Sequence, residues 1–201
     1  MQEVFYEETA VVQNEKLALK KYNTIKALSI FSYVAIGIWI FICLNFYFVS
    51  GYWLIDLLIV LVPAIIFLLL GILLGIAKNK FYVDYDYTFV TGSIRISKVI
   101  KNIKRKFLIK FDTSNIEKLG KYGSNTYFKY ENMPGVKKIF LTSNDTPITN
   151  KDFYFLTVNH EGEKKLLIIE VSQAFIINII KFSNKQILDE DFVKEISRAK
   201  S

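Results

Sequence analysis

The chain has 201 residues, 52% of them hydrophobic, a net charge of +7, one cysteine and one histidine. The apolar fraction is high for a purely soluble protein of this length. Cys43 has no partner for an intrachain disulfide, and His160, in the polar turn Asn159-His160-Glu161-Gly162, has no second His or Cys nearby with which to build a zinc centre.

Charge and apolarity are unevenly distributed. Residues 1–27 carry four Lys and four Glu, Asp56 is the only charged residue between Ala27 and Ala77, and residues 78–201 carry 22 basic and 14 acidic side chains. The chain therefore divides into an N-terminal segment (1–26), an apolar region (27–77) and a basic C-terminal domain (78–201). A bilayer core of about 30 Å needs about 20 apolar helical residues, so the apolar region is long enough for two spans. The break Ser50-Gly51-Tyr52-Trp53 predicts a transmembrane hairpin with one helix over Ala27–Val49 and a second over Trp53–Ala77. The first follows Glu3, Glu7, Glu8 and Glu15 and lacks a small-x-small cleavage pattern, so it reads as a retained span rather than a secretory signal.

Lys16, Lys20, Lys21 and Lys26 precede the first helix, Lys78 and Lys80 follow the second, and the connecting turn has no basic residue. The expectation is a multi-pass protein of the cell membrane with both termini in the cytoplasm. Asp56, near the start of the second helix, suits interfacial water and the positive end of the helix dipole better than an ion pathway, which needs several such groups. Gly71 and Gly75 have the small-xxx-small spacing that lets helices approach closely in lipid. Packing against the first helix near Gly37, a homodimer contact and no special role are the open alternatives. Pro63 is expected to kink the second helix.

After Lys80 the pattern changes to short runs of Tyr, Phe, Ile, Val and Thr ended by Gly, Asn, Asp or Ser, which is a strand signature. Strands are expected near Tyr82–Val90, Ile94–Ile100, Phe107–Phe111, Thr126–Tyr130, Lys138–Thr142, Phe153–Val158 and Lys165–Val171, with a short one at Ile116–Leu119. Thr91-Gly92-Ser93 and Asn159-His160-Glu161-Gly162 predict hairpin loops, while 120–135 is expected to be partly irregular. Ser172 is a candidate N-cap, and Phe175, Ile176, Ile179 and Phe182 form the stripe of a closing helix. Residues 187–201 are expected as an exposed helix or a loose tail. The fold class is a membrane α-hairpin plus an α+β domain, an antiparallel sheet or barrel of about seven strands with a C-terminal capping helix.

Asp84 and Asp86 alternate with Val83, Tyr85 and Tyr87, which predicts an outward polar face opposite a buried aromatic one. Lys98, Lys101, Lys104, Arg105, Lys106 and Lys110 place six basic residues within thirteen positions with no acid among them. Such a surface gains on the order of 1 kcal/mol per basic residue near anionic headgroups. It also keeps a hairpin tip soluble and discourages edge pairing. Nucleic-acid phosphates are a third partner for a positive patch, disfavoured here by membrane anchoring.

Tyr85-Asp86-Tyr87-Thr88 leading to Gly92, the basic turn Lys104-Arg105-Lys106, and Leu167-Ile168-Ile169-Glu170 entering the last helix give the chain a layout that resembles small bacterial membrane proteins with two N-terminal helices and a cytoplasmic pleckstrin-homology-like domain. The family often enters its last helix through Pro-Asn, where this chain has Val171-Ser172. The resemblance implies a fold and supplies no catalytic residues. There is no Gly-rich phosphate loop, His-Glu metalloprotease motif or Gly-x-Ser-x-Gly elbow, so no catalytic residue, metal ligand or cofactor is assigned. The expected function is a non-enzymatic, membrane-anchored cytoplasmic module that binds anionic lipid headgroups or a protein partner in assembly or sensing. The alternative is a structural accessory subunit of a larger membrane complex, its partner another membrane protein or a second copy of the chain.

Overall fold

The computed structural model describes residues 3–46, 53–183, 186–189 and 192–193, and the chain forms two units, Asn14–Tyr82 and Met1–Gln13 with Val83–Ser201. The first unit is an antiparallel pair of helices, α1 (Glu15–Phe46) and α2 (Trp53–Ala77), followed by a 3₁₀ turn at Lys78–Lys80. Helix α1 begins at Glu15 rather than near Ala27. The Asn14 side chain accepts from the Leu17 amide at 3.0 Å, and the run that follows is rich in strong helix formers. Lys16, Lys20, Lys21 and Lys26 therefore lie within the helix, whose 32 residues span about 48 Å. The expected end at Val49 and the break residues Ser50, Gly51 and Tyr52 fall outside the described residues. Pro63 sits inside an unbroken α2.

Both helices are long and apolar enough to cross a membrane, and only 17% and 6% of their most apolar windows are buried. Exposed Phe31, Phe41, Leu58 and Leu73 form more apolar surface than a soluble monomer leaves to water. Between the helices, a β-carbon on Gly71 would meet the Tyr33 ring at 2.9 Å, and one on Gly75 would meet Ser29 Oγ at 3.5 Å. The Ser29 hydroxyl donates to the Gly71 carbonyl at 2.8 Å. Gly37 has open space around it, which corrects the expectation that it meets Gly71 and Gly75; Tyr33 and Ser29 occupy that role, because the antiparallel register brings them, not Gly37, opposite the two glycines.

The second unit contains two four-stranded sheets. The first has the order β1 (Phe5–Ala10), β2 (Val83–Val90), β3 (Ser93–Ile100), β4 (Lys104–Asp112), with every neighbour antiparallel. The second contains β5 (Ile116–Lys121), β6 (Lys137–Phe140), β7 (Asp152–His160) and β8 (Glu163–Val171) in the order β5-β7-β8-β6. Strand β6 runs parallel to β8, so the sheet expected to be antiparallel is mixed. Two-residue loops join β2 to β3 and β7 to β8. Thr91-Gly92 and Glu161-Gly162 all have positive φ, the backbone of the tight hairpin turn that these sequences favour.

Strand β1 is the main departure from expectation. It precedes the helices in the chain yet pairs with β2 along its whole length, from Phe5↔Val90 to Ala10↔Tyr85. The helical hairpin is thus an insertion between two neighbouring strands of one sheet, and the segment 1–26 is divided between that sheet and α1. Tyr6, Glu8 and Ala10 alternate toward the interior, where Ala10 is buried and Tyr6 packs against the core.

Helix α4 (Gln173–Phe182) starts at the expected cap, the Ser172 hydroxyl accepting from the Phe175 amide. The Glu8 carboxylate accepts from the Ser172 amide at 2.9 Å and its hydroxyl at 3.0 Å, placing negative charge at the positive end of the helix. Lys151 balances that charge at 3.0 Å. Phe175, Ile176 and Ile179 point into the core formed by the inner faces of both sheets. Ile187–Asp189 extends the edge of β5, with backbone bonds of 2.8 Å from Leu119 N to Ile187 O and from Asp189 N to Leu119 O.

Residues expected as a strand at Thr126–Tyr130 form a helix, α3 (Asn125–Glu131), capped by the Ser124 side chain. Tyr127, Phe155, Leu166 and Ile168 make a second small core beneath it. Strands β7 and β8 are therefore buried on both faces, which explains their continuous apolar runs. Cap and tertiary contact override the β-propensity of Thr, Tyr and Phe here. Glu131, four residues after Tyr127, accepts from its hydroxyl at 2.9 Å and also pairs with Lys138.

This triad predicts a pH window. Burial, with the opposed hydrogen bonds of Lys138 and Glu131, pushes Tyr127 from 10.0 up to about 12. Hydrogen bonds from Lys138 and Tyr127 hold Glu131 below its ordinary 4.5. Burial opposes the Lys138 charge, but the bonds to Glu131 and Tyr127 outweigh it and raise its pKa. The Glu131 contribution is complete above its unfolded value and is lost as pH falls through the depressed folded one. Those of Lys138 and Tyr127 are complete below their unfolded values and are lost as pH rises through the elevated folded ones. Urea midpoints should thus have a plateau from about pH 5 to about pH 10 and an alkaline limb that is reduced in Tyr127→Phe. Tyrosinate absorbance should show one fewer late-titrating group in this variant, while those of Tyr85 and Tyr87, also raised by burial, persist.

Candidate functional site

The six basic residues singled out in the sequence lie on or beside the β3–β4 hairpin, and a β-bulge sorts them. The register pairs Ile96 with Ile109 and then Ser97 with Phe107, so Leu108 is the extra residue and the face presented by β4 switches there. Opposed residues share a face. Lys98↔Lys106 and Ile100↔Lys104 therefore project on the side of Tyr85 and Tyr87, beyond the packed core. Arg105, opposite Val99, and Lys110, opposite Arg95, project on the outward side. Lys101 occupies the loop, with φ of 50°.

Each group has different surroundings. Arg105 is bound to Asp86 at 2.7 Å and approaches Glu7 at 4.0 Å, so its charge is used within the sheet. Lys104 and Lys106 are exposed, and between Lys101 and Lys104 the side chain of Ile103 is 81% exposed. No other large hydrophobic side chain among the described residues is so exposed. The loop tip thus presents an exposed isoleucine among exposed lysines.

Asp84 and Asp86 lie on the outward side as their alternation predicts, but both are buried, correcting the solvated polar face expected for them. Strand β1 and the turn after it cover them: Thr9 Oγ1 donates to Asp86 at 2.6 Å, and the Val12 amide donates to Asp84 at 2.8 Å. Alternation assigns a side of the sheet and says nothing of what packs over it. Glu170, fully buried, accepts from Thr142 Oγ1, Asn144 Nδ2 at 2.9 Å and the Ile148 amide at 2.8 Å, anchoring the loop after β6. Burial pushes the Tyr87 phenol well above its ordinary range, opposed by its backbone bond to Glu170. Its hydroxyl donates to the Leu141 carbonyl at 2.6 Å.

These acids are structural members. Among the described residues no group of three or more His, Cys, Asp or Glu could hold a metal, and His160 has Glu161 at 3.8 Å. The sequence reading missed Arg95 and the β1 residues Glu7, Glu8 and Thr9. The outward position of Arg95 was legible from Ile94-Arg95-Ile96, whereas the roles of β1 depend on a pairing across more than seventy residues.

No curated protein and no solved structure matches the chain. A family model does, and it starts within β1, runs through the helical insertion and ends at Asp189 beside β5, so it embraces every element that builds the two sheets. By this match over residues 6–189, the chain belongs to the bacterial PH-like domain family, DUF6106.

Proposed function

We propose that the protein is a membrane-anchored, non-enzymatic binding module whose β3–β4 tip contacts anionic lipid headgroups on the cytoplasmic face. PH-like domains are generally non-catalytic binding modules. The observation that carries the anchoring is the insertion of two apolar helices between β1 and β2. Strands that pair must lie on the same side of a membrane, so the helices between them cross an even number of times. The lysines near both helix ends favour the cytoplasm for that side.

Ile100, at the base of the tip, pairs with Val83, six residues after the end of α2 in the chain. A tether of that length reaches at most about 20 Å. Since the surface potential falls off within a Debye length of about 8 Å, the lysines act only where the tip itself meets the headgroups. Lys101, Lys104 and Lys106 together supply on the order of 3 kcal/mol at a negative surface, and Ile103 adds apolar insertion. The competing reading as an accessory subunit would gain support if Gly71 and Gly75 faced a different polypeptide; they face Tyr33 and Ser29 of the same chain.

The test uses the full chain in nanodiscs, with Cys43→Ser and Ile103→Cys carrying an environment-sensitive fluorophore. A blue shift is expected in discs containing phosphatidylglycerol and not in phosphatidylcholine alone. High salt or replacement of Lys101, Lys104 and Lys106 by Gln should reverse it. Identical spectra in the two lipids would refute headgroup contact.

A further inference from the structure

We propose that the outward face of the first sheet holds a second anion site, distinct from the tip, that takes a phosphomonoester between Arg95 and Lys110. A depression of about 610 Å³ lies over this face, lined from all four strands by residues including Arg95, Lys110, Ser93 and Phe107. Its volume is in the range of small-molecule sites.

Arg95 and Lys110 are directly opposed in the β3–β4 register. Like charges in that position repel and destabilise a sheet. Neither is in a salt bridge among the described residues, whereas the neighbouring Arg105 is neutralised by Asp86. The Arg95 guanidinium lies 5.3 Å from the centre of the Phe107 ring, which steadies it. Ser93 lines the same depression, and its hydroxyl is buried with no hydrogen-bond partner among the described residues.

Two uncompensated cations and a hydroxyl donor define the ligand. A phosphomonoester carries close to two negative charges near neutral pH and three terminal oxygens. It matches the guanidinium fork, the ammonium and the serine hydroxyl together. A carboxylate or phosphodiester brings half the charge and fewer acceptors. Phe5 and Val90 on the same face offer apolar contact to the organic part. Glu7, which also lines the depression, lies toward Arg105 and disfavours larger polyanions.

The test is calorimetric titration of the full chain, in phosphatidylcholine nanodiscs, with phenyl phosphate. Saturable binding is expected, weakened at least tenfold in Arg95→Gln and in Lys110→Gln and unchanged when Lys101, Lys104 and Lys106 become Gln. The last arm separates this site from the tip, so either can fail alone. Phosphatidic acid in the disc that competes identifies a lipid headgroup as the source of the phosphate; binding unaffected by it identifies a soluble ligand. Lys110→Glu should abolish binding and raise the ligand-free melting temperature, because repulsion becomes attraction. Absence of saturable binding, undiminished affinity in either Gln variant, or a lowered melting temperature in Lys110→Glu would each overturn the proposal.

Discussion

Removal of residues 1–13 is expected to abolish cooperative folding of the sheet domain, and joining those residues to Tyr82 through a short flexible linker is expected to restore it. The deletion strips the edge of β2 of its partner and uncovers the core beside Ala10 and Tyr6. It also removes Glu8, leaving Lys151 and the start of α4 without their counter-charge. Each buried apolar side chain contributes about 1.5–3 kcal/mol, and truncating one partner of a buried pair costs about 3–5 kcal/mol. Together these approach the whole stability of a domain, about 5–15 kcal/mol. The linker form is feasible because Ala10 and Tyr85 are direct strand partners, so the ends left by excising the helices are close. Urea unfolding followed by circular dichroism distinguishes the two forms. A sigmoidal transition in residues 83–201 alone would show β1 to be dispensable.

Phe175→Ala carries the next largest expected effect, a loss of about 3–5 kcal/mol. Phe175 is fully buried, and its ring meets Tyr6 at 5.9 Å, Tyr87 at 6.1 Å and Phe89 at 6.3 Å. Three elements, β1, β2 and α4, thus converge on one side chain. Leucine should recover roughly half the loss by refilling part of the volume. Tyr6→Ala and Phe175→Ala, being in contact, should combine non-additively. Additive losses in the double variant's denaturation midpoint would show that β1 and α4 are anchored independently.

Local order along the chain was legible because the relevant forces are local. An apolar run of this length forms helices long enough to cross a membrane, two-residue turns with glycine have one favoured backbone, and Ser172 before a helical stripe is a cap. The strands from Val83 to Asp112 and from Asp152 to Val171 were accordingly visible, as was α4. The helix at Asn125–Glu131 was not, since its Tyr and Phe favour a strand until Tyr127 finds Phe155. The cluster of basic residues was likewise visible as a cluster, but its division was not, because the bulge at Leu108 depends on pairing with β3.

By itself the sequence determined the two apolar helices, the strand-rich domain after them, the closing helix and the basic hairpin. The tertiary structure alone decided that Phe5–Ala10 completes the first sheet, that Asp84, Asp86 and Glu170 are buried, and that Arg95 opposes Lys110. The physical reason is range. Periodicity and turn chemistry act within a few residues, whereas strand partners, burial of a charge and the face it shares are set by chain segments brought together from far apart in the sequence.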